Sequence, residues 1–167
     1  MKKILIFLVI ISATFIVTSN FTFATQPPKE TLLIDQAVWS KTTKDKAFDA
    51  CLAAVAMAGF AVNPLGTKKD IGLIMTNEIS FQRRHVRWSG YSDIICKYTL
   101  QIVVTEIKDN KVMINLNALN TNYDWEEYNP GETEVRSFFD NKIALDFQEF
   151  FAHLENLLGK AESYRKK

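Results

Sequence analysis

Cys51 and Cys96 carry the most reactive side chains in this sequence, and their surroundings allow two roles. Cys51 falls on the apolar stripe of a predicted helix and Cys96 on the apolar face of a predicted strand, so both thiols should point into the core. In an oxidising compartment they could form a disulfide that closes a loop of about 45 residues and contributes about 3–4 kcal/mol in the chain-entropy model. The alternative is a pair of reduced cysteines that act as small buried hydrophobic side chains. Neither cysteine stands in the context of a catalytic nucleophile.

His85 and His153 are the only histidines and, with the two cysteines, the only nitrogen and sulfur side chains typical of a zinc site. No two of these four residues have the short spacing of a zinc-binding motif, and His85 lies in a basic stretch that repels a cation. We therefore expect neither a metal nor another cofactor.

The densest positive cluster is the basic segment, residues 83–88, with the sequence RRHVRW. Its candidate contact residues are Arg83, Arg84, Arg87 and Trp88. Arginines beside an aromatic ring suit phosphate-rich ligands, lipid headgroups or an acidic protein surface. The alternative is a solvated edge strand whose charges prevent edge-to-edge aggregation.

The acidic-aromatic segment, residues 123–134, combines five acidic residues with three aromatic ones. Exposed Trp and Tyr beside charge are typical of a recognition loop, and the candidate contact residues are Tyr123, Trp125, Glu126, Glu127 and Tyr128. The alternative is that the aromatic rings fold back onto the domain. Carboxylates within one loop lack the fixed opposition that glycoside hydrolysis needs, so we predict that the protein is not an enzyme.

The composition describes an ordinary globular protein: 167 residues, 47% hydrophobic and 23% charged, with a formal net charge of +1. These values exclude intrinsic disorder and a polytopic membrane protein, and the near-zero charge argues against nucleic acid as a partner.

The first 24 residues have the pattern of a secretory signal peptide. Lys2 and Lys3 precede an apolar run from 4 to 17, which as a helix spans about 21 Å, short of the roughly 30 Å bilayer core. Cleavage is predicted near Ala24, giving a bacterial periplasmic or secreted protein with no stable membrane span; the alternative is an uncleaved anchor. A polar leader (25–31), a single α+β domain (32–162) and a basic tail (163–167) follow.

Periodicity predicts helices at about 44–58 and 134–162, with one strand before the first helix and four between the two helices, in the order β-α-β-β-β-β-α. A short strand is expected at 60–63. In the next strand, alternation places Leu73, Met75, Ile79 and Phe81 on one face and Ile74, Thr76, Glu78 and Ser80 on the other. Asp109 and Asn110 predict a tight hairpin. The expected fold is an antiparallel sheet of four or five strands with both helices on its single apolar face.

Two short stretches, AGFAV at 58–62 and DIGLIMT at 70–76, look like a signature of small exported bacterial proteins. With the order of elements and the long final helix, they resemble the helix-grip domains of outer-membrane assembly lipoproteins of the BamC type. The resemblance implies a non-catalytic role in the cell envelope and transfers no functional residue.

These observations lead to two functional hypotheses. The first is a non-enzymatic envelope protein that acts through contact with another protein, using the basic and acidic-aromatic segments. The second is a carrier of a small apolar ligand or lipid, with a cavity between the sheet and the final helix bordered by Tyr98, Met113, Phe147 and Phe150.

Overall fold

The computed structural model describes residues 32–87, 90–108, 110–125 and 132–166, so the predicted signal peptide and polar leader lie outside the described residues. The elements are β1 (Ile34–Ser40), α1 (Lys44–Met57), β2 (Leu73–Arg87), β3 (Gly90–Ile107), β4 (Lys111–Trp125), α2 (Glu132–Leu158) and β5 (Ser163–Lys166). The predicted α+β class, an antiparallel sheet of five strands with two helices, is confirmed. Within the described ranges, neither helix has the length and apolarity needed to cross a membrane.

The sheet has the strand order β2-β3-β4-β1-β5, and all neighbours are antiparallel. The long strands β2, β3 and β4 form a meander, and the hairpin predicted near Asn110 lies between the end of β3 at Ile107 and the start of β4 at Lys111. The chain order differs from the expectation in one respect: three strands separate the helices, and the fifth follows α2. The expected strand at 60–63 is reduced to one bridge between Val62 and Thr76.

Strand β5 occupies most of the segment expected to be a basic tail. Two consecutive side chains of this segment, Tyr164 and Arg165, have partners on the domain. Tyr164 is half-buried, packs edge-on against Phe151 at 5.9 Å between ring centroids, and donates a hydrogen bond to Glu155. Arg165 forms an ion pair with Asp35. The domain therefore extends beyond the predicted boundary at residue 162.

Both helices cover the same face of the sheet. A single hydrophobic core lies between the helices and that face. Helix α1 begins at its N-cap Thr43, whose hydroxyl accepts a hydrogen bond from the Lys46 amide, and Gly59 follows it with φ 77°. The predicted stripe residues Phe48, Cys51 and Val55 are all buried. The largest fully buried side chains of this core are Trp39, Tyr98, Phe147, Phe150, Ile74, Leu100, Ile102, Ile114, Leu116 and Leu154.

The predicted two-face pattern of β2 is wrong because a bulge interrupts the strand. Ile74 and Thr76 are buried on the helix side, yet Phe81 also packs there, against Phe139. The pairing register with β3 shifts between Met75 and Glu78, and the extra residue reverses which side chains face the core. The buried hydroxyl of Thr76 accepts a hydrogen bond from the Leu100 amide at 3.0 Å, so this backbone group keeps a partner beside the bulge.

Candidate binding groove

An open groove of about 850 Å³ lies between the N-terminal half of α2 and strand β4. Its walls come from the start of β1, the second half of β4 and the first turns of α2. The residues that line it are Leu33, Asp35, Leu116, Asn117, Ala118, Leu119, Thr121, Arg136, Ser137, Asp140, Asn141, Ile143 and Phe147.

Unequal strand lengths explain why the groove exists. Strand β4 continues to Trp125, but β1 pairs with it only between Lys111 and Asn115. The chain just before β1 turns towards α2, where the carbonyl of Leu32 accepts a hydrogen bond from the Gln148 side chain at 2.8 Å. The space between this segment and the far half of β4 is therefore left open beneath α2.

The groove has an apolar floor and a polar rim. Leu116, Ile143 and Phe147 are buried and form its floor. Arg136 and Asp140 stand on the rim one helical turn apart, so their opposite charges give it little net charge. Exposed Thr121 and Ser137 add hydroxyl groups, whereas the Asn117 side chain lies on the opposite face of the sheet and donates a hydrogen bond to Gln101. Such a surface binds by apolar contact and neutral hydrogen bonds rather than by charge.

One wall of the groove is fixed by the ion pair between Asp35 and Arg165. The guanidinium donates two hydrogen bonds to the carboxylate, from Nε at 2.8 Å and from Nη2 at 3.0 Å. Asp35 is only 3% exposed, and its hydrogen bond with Arg165 raises the pKa of the arginine. This bidentate geometry joins the start of β1 to β5.

A buried polar cluster lies deeper between the sheet and α2. The Tyr98 hydroxyl donates a hydrogen bond of 2.7 Å to Asp146, and Lys142 donates a second one to the same carboxylate. Burial raises the pKa of Tyr98, and the hydrogen bond to Asp146 raises it further. The tyrosine is therefore a neutral donor that satisfies the buried carboxylate of Asp146.

The disulfide expectation is not supported, since Cys51 and Cys96 are both buried and both free. Lys44, at the start of α1, donates a hydrogen bond to the carbonyl of Asp70. Two residues further on, the carbonyl of Gly72 accepts a hydrogen bond from the Val104 amide on β3. Cys51 is seven helical residues from Lys44, roughly 10 Å, whereas Cys96 is eight strand residues from Val104, roughly 26 Å. The two thiols therefore lie at different levels of the same core.

Burial also makes both thiols unreactive. It raises the pKa of Cys96 to about 11 and the pKa of Cys51 further above its ordinary value. The thiolate is the nucleophilic form, so neither residue is activated at neutral pH. Among the described residues, no group of three or more His, Cys, Asp or Glu side chains is arranged to hold a metal.

The basic segment lies on β2, an edge strand of the sheet, up to Arg87. Arg83 faces the helix side, and its guanidinium lies 4.2 Å from the ring centroid of Phe138. This cation–π contact holds Arg83 against the domain. Arg84 and Arg87 belong to β2, but their side chains, together with Trp88, lie outside the described residues.

The acidic-aromatic segment begins on β4. Tyr123 is half-buried and packs edge-on against Phe139, with 6.3 Å between ring centroids, so this ring folds back onto the domain. Trp125 is the last residue of β4, and its side chain lies outside the described residues, as do Glu126, Glu127 and Tyr128. In the sheet register Ile94 pairs with both Arg83 and Trp125, so the two predicted segments meet at one end of the sheet.

Of the four residues expected to border a ligand cavity, only Phe147 lines the groove. Tyr98 and Phe150 are fully buried in the core. Met113 lies on the opposite face of the sheet, because it alternates with the buried Val112 and Ile114. The polar rim was missed by sequence reasoning. The sequence alone carries no signal for it, because the mismatch in length between β1 and β4 appears only in the folded sheet.

No family model matches this sequence, and the comparison with curated proteins finds no significant match. Among solved structures, the chain is similar to a crystal structure of a DUF4468 family protein from Bacteroides ovatus. The sequences are 7% identical, the TM-score is 0.44, and the similarity covers 80% of this chain and 90% of that chain. A likeness of this degree transfers no function.

Proposed function

We propose that this protein is a non-enzymatic component of the bacterial cell envelope that binds another protein in the groove between α2 and β4. The observation that carries the proposal is the groove itself, whose buried apolar floor lies inside a rim of neutral polar groups and balanced charges. An apolar centre within a polar rim is the usual anatomy of a protein interface.

Two features of the sequence support the envelope location. The basic start, apolar run and small residues of positions 1–24 have the order of an export signal. The resemblance to BamC-type helix-grip domains, which share a sheet covered by a long final helix, favours an envelope role. The basic and acidic-aromatic segments, which meet at one end of the sheet, are proposed as a second contact surface beside the groove.

The state of the polar side chains supports a binding role rather than catalysis. Burial raises the pKa of both thiols, so their nucleophilic forms are disfavoured. The buried carboxylate of Asp146 is held by Tyr98 and Lys142, and that of Asp35 by Arg165. Each of these groups stabilises the fold.

One observation favours a second candidate, a carrier of a small apolar ligand. The groove volume of about 850 Å³ lies within the range of small-molecule sites, which is roughly 300–1,000 Å³. Its openness to solvent favours the protein-contact function, because ligand sites usually enclose most of the ligand surface.

Site-specific crosslinking in living cells tests the proposal. A photo-crosslinking amino acid replaces Thr121 or Ser137, which are exposed on the groove rim, and matched controls carry it at Glu106 or Lys46, which are exposed elsewhere. We expect one discrete crosslinked protein from both rim positions and none from the controls. Equal patterns from rim and control positions would refute a specific contact in the groove.

A groove-filling substitution separates binding from folding. Ala118→Trp places a large ring where Ala118 lines the groove, and Glu106→Trp adds the same ring at an exposed position away from it. We expect Ala118→Trp to abolish the crosslink from Thr121 while circular dichroism shows a folded protein, and Glu106→Trp to retain it. A native mass spectrum of the exported protein that shows a bound lipid, without a crosslinked protein, would instead establish the carrier function.

A further inference from the structure

The backbone of β4 is exposed where it borders the groove. The amide of Lys41 donates a hydrogen bond of 2.9 Å to the carbonyl of Asn110, which fixes the alternation along β4. In an antiparallel sheet, successive residues turn their backbone groups to opposite neighbours, so every second residue from Asn110 onwards faces β1. Ala118 belongs to this set.

Ala118 lies beyond the end of the paired region. The last residue pair between β1 and β4 is Gln36 with Asn115, and continuing this register would place Leu33 opposite Ala118. The chain has by then turned away, since Leu32 is bonded to Gln148 on α2. Among the described residues, no strand therefore lies beside Ala118, and its amide and carbonyl face the groove.

We propose that the partner inserts an extended polypeptide segment into the groove as an added strand, antiparallel to β4 and in line with β1. This inference rests on the proposed function and specifies how the contact is made. An exposed strand edge binds an extended chain through main-chain hydrogen bonds, and pockets for alternate side chains supply selectivity. Here the open edge and the apolar floor border the same groove.

The lining of the groove defines the chemistry of the inserted segment. Side chains that point towards α2 would meet Leu116, Ile143 and Phe147, so they should be apolar and of moderate size. The other side chains of the inserted segment would point away from α2, on the face of the sheet where Asn117 is exposed, and should be polar. Because Arg136 and Asp140 balance each other on the rim, the segment needs no net charge.

A bulge limits the length of the inserted segment. The register between β3 and β4 shifts between Lys97 and Thr99, opposite residues 119–122, and Asn120 in this stretch has φ 53°. Such a bulge ends the regular ladder and twists the edge away. From residue 116 to 119 the edge offers about four regular positions, roughly 13 Å, so the inserted strand should be about four residues long.

Amide hydrogen exchange measured by NMR on the folded domain tests this inference. The probe is an acetylated and amidated hexapeptide of alternating threonine and valine, added to millimolar concentration. We expect exchange at the Ala118 amide to slow at least tenfold, whereas the Asn117 amide, which faces β3, is already protected and unchanged. The same peptide methylated on the nitrogens of alternate residues should give no protection, and Ala118→Trp should bind neither peptide.

Two outcomes would overturn the inference. The first is peptide binding that leaves the Ala118 amide unprotected or that survives methylation of the peptide nitrogens. The second is a groove that takes dodecanoate but not the peptide. If Thr121 crosslinks to a discrete protein while Ala118 gains no protection, the proposed function stands and strand addition is refuted. If neither crosslinks nor protection appear, both are refuted.

Discussion

The Tyr98 hydroxyl donates a hydrogen bond to a carboxylate that the fold removes from water. Asp146 is only 3% exposed and the O–O distance is 2.7 Å, so Tyr98→Phe leaves this buried charge with Lys142 as its remaining hydrogen-bond donor among the described contacts. A hydrogen bond to a charged group contributes about 1.5–3 kcal/mol. We expect the free energy of unfolding to fall by about 2 kcal/mol, with the core otherwise intact.

Urea denaturation followed by circular dichroism measures this loss. With a denaturant slope of about 2 kcal/mol/M, the midpoint should fall by about 1 M while the slope is unchanged. Tyr164→Phe is the matched control, because its half-buried hydroxyl donates to Glu155, which also accepts from Lys160 and the Ala161 amide. We expect Tyr164→Phe to lower the free energy of unfolding by less than about 1 kcal/mol.

A double-mutant cycle isolates the interaction. Asp146→Asn is combined with Tyr98→Phe, and the coupling energy should be at least about 1 kcal/mol, because the two side chains are in direct contact. A loss below about 0.5 kcal/mol in Tyr98→Phe, or additive effects in the cycle, would refute the claim that this bond stabilises the core.

The same bond predicts a dependence on alkaline pH. Burial and Asp146 raise the pKa of Tyr98 above its ordinary value of 10.0. Above about pH 10 the unfolded chain therefore releases this proton while the folded chain retains it, so the stability that depends on Tyr98 is complete below pH 10 and declines as pH rises. The free energy of unfolding of Tyr98→Phe should therefore fall less between pH 9 and 11 than that of the unsubstituted protein. Urea midpoints measured across this range test the difference.

Two further predictions concern the turn before β2 and the cysteines. Gly72→Ala should lower the free energy of unfolding in urea melts by at least about 2 kcal/mol more than Gly59→Ala does. Both glycines have positive φ, but of the two only Gly72 would bring an added Cβ against a backbone atom, the Val104 carbonyl oxygen. Equal losses would refute the steric argument. Cys51 and Cys96 should not react with a thiol reagent at pH 8 until the protein unfolds, because both are buried and burial raises their pKa values. Rapid labelling of either thiol in the folded protein would contradict this, and a mass spectrum after denaturation in an alkylating agent checks that both are reduced.

The predicted helices and most strands follow from local physical chemistry. Helix α1 lies at 44–57 against an expectation of about 44–58, since Thr43 caps its start and Gly59 ends it. Helix α2 was expected to reach residue 162 but ends at Leu158, because Gly159 adopts φ 84° and the chain then returns as β5. The sequence did contain the signal for this end, since a glycine directly after the last apolar position of a helix is its usual stop.

The errors in the strands have a common cause. A bulge adds one residue to a strand, so every later side chain of that strand points to the opposite face of the sheet. The position of a bulge is set by contacts with the neighbouring strand. In β2 the residue at the bulge is Thr76, whose hydroxyl satisfies the Leu100 amide on the neighbouring strand. Periodicity in one segment cannot show a partner 24 residues away. The open edge of β4 was missed for the same reason, since it depends on where β1 leaves its neighbour.

Composition, periodicity and capping residues were enough to assign the α+β class, the number of helices and the apolar face of each, because hydrophobic burial acts on patterns within a segment. The groove, the buried Tyr98–Asp146 pair and the separation of Cys51 from Cys96 were decided by the tertiary structure. Each depends on the register and the relative length of elements far apart in the chain. The groove forms where a seven-residue strand pairs with one of fifteen, and such a mismatch becomes a surface only once the strands are paired.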